Sequence, residues 1–274
     1  MTDDLNGSAR DRVSKPVNAG EVHLSIHAGV ASVVFDRPLA RNAMTWLMYE
    51  QLGSICRRLH SDNSVRVVTF QGAGGEAFVA GTDIEQFKAF HSGDDGVAYE
   101  RTIDKGIGLI ESLPMPTVAV ISGWTIGGGL AIATACDFRI ATPASRFGVP
   151  IARTLGNCLS MSNLARLSAA FGVQRVKRML LLAEVLSADE ALVCGYLQQV
   201  CEPSELDAAA AALCARLASL APVTQQVTKE ALQRLLTQGL PDGEDLISQC
   251  YGSSDFHEGV DAFVAKRSPV WTGR

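Results

Sequence analysis

Residues 116–150, PTVAVISGWTIGGGLAIATACDFRIATPASRFGVP, place a strand, a glycine turn, a helix and a second strand in immediate succession. Residues 117–121 are a short, apolar, β-branched run, and Gly127, Gly128 and Gly129 open a helical pattern carrying Leu130, Ile132 and Ala133. Three glycines let a ligand approach the backbone closely. They also leave the unpaired amides of a helix N-terminus pointing outward with the positive end of its dipole, which suits an oxygen bearing negative charge. A tight packing turn from strand to helix would use the same glycines.

Composition bounds what lies around this stretch. A chain of 274 residues and 29.1 kDa buries a large core, as one domain or as one domain with an appendage. Charged residues make up 19% of it, below the roughly 25% usual for soluble domains, so an oligomer that buries further surface is expected. A net charge of −5 without a Lys/Arg cluster offers nothing to nucleic acid. Seven cysteines without a C-x-x-C pair, and no His at metal-ligand spacing, point to reduced thiols, no metal site and a cytoplasmic location. Residues 1–20 are polar and read as a disordered tail. Residues 112–136 carry no charge, but Pro114, Pro116 and the glycines break them into pieces too short to span a membrane.

Before the central stretch, 22–26 and 30–35 alternate as a hairpin, and Thr45 is placed to cap a helix reaching residue 59. A strand is expected over 65–70, a glycine-rich loop over 71–84, a capped turn of helix to residue 90, a mobile polar loop over 91–95 and a helix over 96–113. After it come helices over 160–170, 173–183 and 187–194, a strand over 197–200, and helices over 205–220, 223–236, 243–251 and 256–266. The fold class is therefore α/β, in which strand, strand, helix recurs through the first two thirds and the last quarter is helical.

These pieces together resemble the crotonase, or enoyl-CoA hydratase/isomerase, superfamily. The matches are R-P-x-x-x-N-A at 37–43, A-F-x-A-G-x-D-I at 77–84, G-G-G-x-x-x-A-x-x-C-D at 127–137, F-G-x-P at 147–150, the run at 186–197 and A-F-x-x-K-R at 262–267. The resemblance implies a crotonase-like spiral core of β-β-α units over 21–204 and a helical trimerisation region over 205–274. It also implies a homotrimer or dimer of trimers in fatty acid metabolism. Its substrate would be a coenzyme A thioester, with no permanently bound cofactor.

By matched position the resemblance assigns the backbone amides of Ala80 and Gly128 to an oxyanion hole for the thioester carbonyl. Arg41, Asn42, Ala43, Gly81, Thr82, Asp83 and Ile84 would contact coenzyme A, with Phe263 and Lys266 reaching it from a neighbouring subunit. The chain departs from the pattern at Ala131 and Ile151, where the hydratases of the family carry glutamates. Water addition needs one group to activate water and another to deliver a proton, which Ala and Ile cannot do. Two-glutamate hydration is thus in doubt. The expected function is an acyl-CoA enzyme of the lyase or isomerase class that stabilises a thioester enolate. The alternatives are an inactive thioester binder and a decarboxylase or isomerase using the 153–162 segment, where Arg153 could clamp a substrate carboxylate and Cys158 is a less favoured nucleophile.

Overall fold

The hairpin forms as the alternation requires: β1 (Glu21–His27) pairs antiparallel with β2 (Val30–Asp36) across Ala28 and Gly29, both at positive φ. The computed structural model describes residues 19–240 and 242–272, so most of the expected N-terminal tail lies outside the described residues. Thr45 caps α1 (Trp46–His60): its hydroxyl accepts from the Met48 amide at 3.3 Å and donates to the Ala19 carbonyl at 2.8 Å.

One unit then recurs three times, a strand in a large sheet, a three-residue strand in a second sheet, and helix. The first is β3 (Val67–Gly72), β4 (Ala77–Val79), a 3-10 turn over Ile84–Ala89 and α2 (Gly93–Glu111). The second is β5 (Thr117–Ile121), β6 (Trp124–Ile126) and α3 (Gly128–Ala135). The third is β7 (Phe138–Ala141), β8 (Arg146–Gly148), α4 (Ile151–Thr154), α5 (Met161–Phe171) and α6 (Val173–Leu181). Then β9 (Val185–Ser187), α7 (Ala188–Val193) and β10 (Gln199–Val200) close the core. The large sheet runs β1-β2-β3-β5-β7-β10 and the second β4-β6-β8-β9, so each unit adds one parallel strand to both.

Two expectations shift. Residues 65–66 precede β3, because the Val65 amide closes a turn on the Asp62 carbonyl. Residues 91–95 are a capped helix start rather than a mobile loop, with Ser92 the N-cap and residues 93–95 the first turn of α2: the Asp95 carboxylate accepts from the His91 and Ser92 amides at 2.8 and 2.9 Å, which lowers its pKa. The C-terminal helices α8 (Leu206–Ala218), α9 (Pro222–Thr237), α10 (Glu244–Tyr251) and α11 (Ser254–Val264) follow the core, and three of them share packing with the first two thirds. Ala210, Cys214 and Leu217 of α8 pack on Val67, Val118, Val120 and Ile140 of the large sheet. Against α2, α10 lies so close that a Cβ on Gly96 would fall 2.2 Å from Tyr251 Cγ. Only α9 among these four buries no residue. No single helix among the described residues is long and apolar enough to cross a membrane.

Candidate active site

The glycine turn is built for contact between two loops. Gly127 has φ 54° and ψ −119°, which side chains disfavour, and a Cβ on Gly129 would lie 2.0 Å from the Val79 carbonyl oxygen. The start of α3 is thereby pressed onto the end of β4. The segment after β4 follows, and a Cβ on Gly127 would sit 3.8 Å from Gly81 Cα. Ala80, Gly81, Thr82, Asp83 and Ile84 accordingly share one cleft of about 750 Å³ with Gly127 and Gly128.

The two expected oxyanion residues thus line one cleft, but their amides differ. As the first residue of α3, Gly128 has no carbonyl four residues back within the helix, and no other backbone acceptor meets its N–H among the described residues. Ala80 departs from expectation, because its N–H donates to the Arg41 carbonyl at 3.0 Å. Arg41 (φ 51°) turns that carbonyl toward Ala80.

The expected coenzyme A contacts also divide. Arg41, Ala43, Gly81, Thr82, Asp83 and Ile84 line the cleft. Asn42 does not: it is fully buried, its Oδ1 accepts from the Arg37 amide and its Nδ2 donates to the carbonyls of Ala73 and Ala77, all at 2.9 Å. It staples the turn that carries its neighbours. Asp83 pairs with Arg37 at 2.8 Å and caps the Ile84–Ala89 turn by accepting from the Glu85 amide. Phe263 and Lys266, expected from a neighbouring subunit, line the cleft of their own chain, because α11 packs over that turn.

Ala131 and Ile151, at the replaced glutamate positions, both face the cleft. Of the 153–162 segment, Thr154 and Asn157 line it, while Arg153 is exposed and outside the lining. The carboxylate clamp at Arg153 is therefore not supported by its position. Cys158 is likewise outside the lining, and its hydrogen bond with the Cys250 thiol, together with burial, pushes its pKa well up, away from a reactive thiolate. Ser160 is the N-cap of α5.

Residues 25–274 match the family model described as Enoyl-CoA hydratase/isomerase. The chain belongs to this family. It is 32% identical over 242 residues to the short-chain-enoyl-CoA hydratase of Clostridium acetobutylicum, covering 87% of this chain and 92% of that protein. It is 32% identical over 258 residues to (E)-benzylidenesuccinyl-CoA hydratase of Thauera aromatica, covering 92% and 99%. Among solved structures, an enoyl-CoA hydratase/carnithine racemase from Magnetospirillum magneticum superposes with a TM-score of 0.75 at 32% identity, over 92% of this chain and 96% of that one. A methylmalonyl-CoA decarboxylase superposes at 0.85 with 24% identity, over 92% and 98%, and shares the crotonase fold.

Within this enoyl-CoA hydratase/isomerase cleft, two features had not been read from the sequence. One is a run of hydroxyls beside Gly128, in which Tyr49 and Thr82 are 2.9 Å apart and Thr82 and Tyr99 are 3.1 Å apart. Burial pushes the Tyr49 phenol up to about 12 and Tyr99 well above its usual value, so both stay neutral. The other is Glu100 on α2, 3% exposed and part of the lining. Its Oε1 accepts from the Tyr251 hydroxyl at 2.8 Å and its Oε2 from the Ser160 amide at 3.1 Å. Burial raises its pKa to about 7. A signal for it exists in the sequence: Glu100 falls three residues after Val97 and three before Ile103, on the stripe α2 buries.

Proposed function

We propose that this chain is an acyl-CoA enzyme that holds a thioester carbonyl at the start of α3 and stabilises the enolate formed when the adjacent carbon reacts. The observation that carries this reading is that Gly128, whose amide has no acceptor among the described residues, lines one cleft with residues 80–84. Ala80 supplies the second donor when the thioester oxygen competes with the Arg41 carbonyl for its N–H. Donors fixed before reaction stabilise developing charge without reorganising, and one of them is worth about 3 to 4 kcal/mol. Lys266 and Arg41 offer positive charge to the phosphates of coenzyme A, and Phe263 offers an apolar face. With Ala131 and Ile151 in the cleft, water addition by paired glutamates is not the reaction proposed.

The test removes one donor. Proline lacks an N–H and suits the first position of a helix. A Cβ at residue 128 would lie 2.6 Å from the Tyr49 hydroxyl, so Gly128→Pro is made in a Tyr49→Phe background. A panel of enoyl-, dienoyl- and malonyl-type thioesters is incubated with each protein and product is followed by mass. Turnover of one class by the Tyr49→Phe parent, reduced about 10²- to 10³-fold by Gly128→Pro, is the expected result. Binding without turnover of any thioester by the unmodified protein would reduce the chain to an inert binder.

A further inference from the structure

We infer that Glu100 is the catalytic base and acid of this cleft, exchanging a proton with the carbon next to the thioester carbonyl. The inference rests on the thioester reading above and adds the group that the loss of both glutamates leaves missing. Among the described residues the cleft lining holds two carboxylates, Asp83 and Glu100, and no His or Cys. Asp83 is committed to Arg37 and to the turn it caps. Among the described residues Glu100 is in no ion pair, and its oxygens accept from the Tyr251 hydroxyl and the Ser160 amide, with the Asn163 side chain a further donor. A carboxylate has about four acceptor sites, so one proton can still be taken up without displacing these donors.

The surroundings keep it poised. Asp104, one turn further along α2, raises its affinity for a proton, while the Tyr251 hydroxyl, the Ser160 amide and Asn163 lower it. Asp104 is itself held by the Ser160 hydroxyl at 2.9 Å and by Arg166 at 3.2 Å, and Arg166 also donates to Glu111 at 2.8 Å. The other titratable neighbours are the phenols of Tyr49, Tyr99 and Tyr251 and the thiols of Cys158 and Cys250. Burial raises all three phenols. With a pKa near 7, Glu100 is suited to both directions of transfer. In the step, the carboxylate takes the proton, the C–H electron pair moves into the carbonyl, and the negative oxygen rests on the backbone amides. Return of the proton from the neutral acid restores the thioester.

Butyryl-CoA incubated in D2O reports this step without knowledge of the natural product. The wild-type chain is expected to introduce deuterium next to the carbonyl, with a rate that rises with pH through about 7 as Glu100 ionises. Glu100→Gln should lower that rate by 10²-fold or more while calorimetric binding of butyryl-CoA changes only a few-fold. Tyr251→Phe removes a donor that favours the ionised form, so it should move the pH midpoint upward, which lost packing alone would not do. Binding without exchange by the wild type, or exchange by Glu100→Gln at the wild-type rate, overturns the inference. Failure of the wild type to bind butyryl-CoA overturns the thioester reading and this one with it.

Discussion

A buried carboxyl group leaves a trace in stability as well as in chemistry. Glu100 rises from an ordinary 4.5 to about 7 on folding, so the folded state holds its proton more tightly than the unfolded chain does. Its favourable contribution is complete below pH 4.5 and disappears as pH climbs to about 7. That window corresponds to on the order of 3 kcal/mol. Glu100→Gln keeps the shape and loses the titration, so urea unfolding should show the variant gaining on the wild type between pH 5 and pH 8. Equal gaps at both pH values would contradict the raised pKa. The same residue shows what a sequence hides: a Glu in a helix reads as solvated surface until the spacing of Val97, Ile103 and Ile107 places it inward. The cleft residues at 80–84, by contrast, were legible through the family resemblance of A-F-x-A-G-x-D-I, and those at 127–128 through the glycine turn that opens α3. The engagement of the Ala80 amide by Arg41 was not, since side-chain identity does not record where a carbonyl turns.

Elements were legible where the apolar pattern ran long. The strand at 117–121 and every C-terminal helix agree with the periodicity to within a few residues. The second sheet was less legible: β4, β6 and β8 have three residues each, too few for alternation to be distinguished from a glycine-rich loop. Nor did the pattern reveal how α9 is fastened, since it buries no residue. Its Lys229 donates to the Asp137 carboxylate at 2.6 Å and to the Met115 carbonyl at 2.8 Å. Asp137 in turn accepts from the Thr117 amide and hydroxyl at 2.7 and 2.9 Å, so one carboxylate ties α9 to the first residue of β5. Asp137→Ala should cost about 3 kcal/mol, because it strands a half-buried ammonium and a strand amide together. Lys229→Met should cost less but speed hydrogen exchange in α9 selectively. Exchange that rises equally in β5 and α9 would show that the contact is no separate fastening.

At the scale of the molecule, the low charged fraction and the surface of α9 concern the same question. Leu220, Val223, Val227, Leu232 and Leu235 are 49%, 68%, 57%, 61% and 72% exposed, a large apolar area on one helix and its approach. Isolated exposed apolar residues are ordinary, but five of them on one helix that buries nothing and on its approach favour a partner surface there. A second copy of the chain is the occupant that the family resemblance implies, in a homotrimer or a dimer of trimers. Phe263 and Lys266 reach the cleft of their own chain. Light scattering should therefore return three or six times 29.1 kDa for the wild type. Val223→Glu with Leu235→Glu should return the single-chain mass, since each new charge would have to be desolvated without a partner. That variant should still bind butyryl-CoA, although more weakly if α11 loosens. A wild type of single-chain mass would leave the apolar face of α9 without the proposed partner.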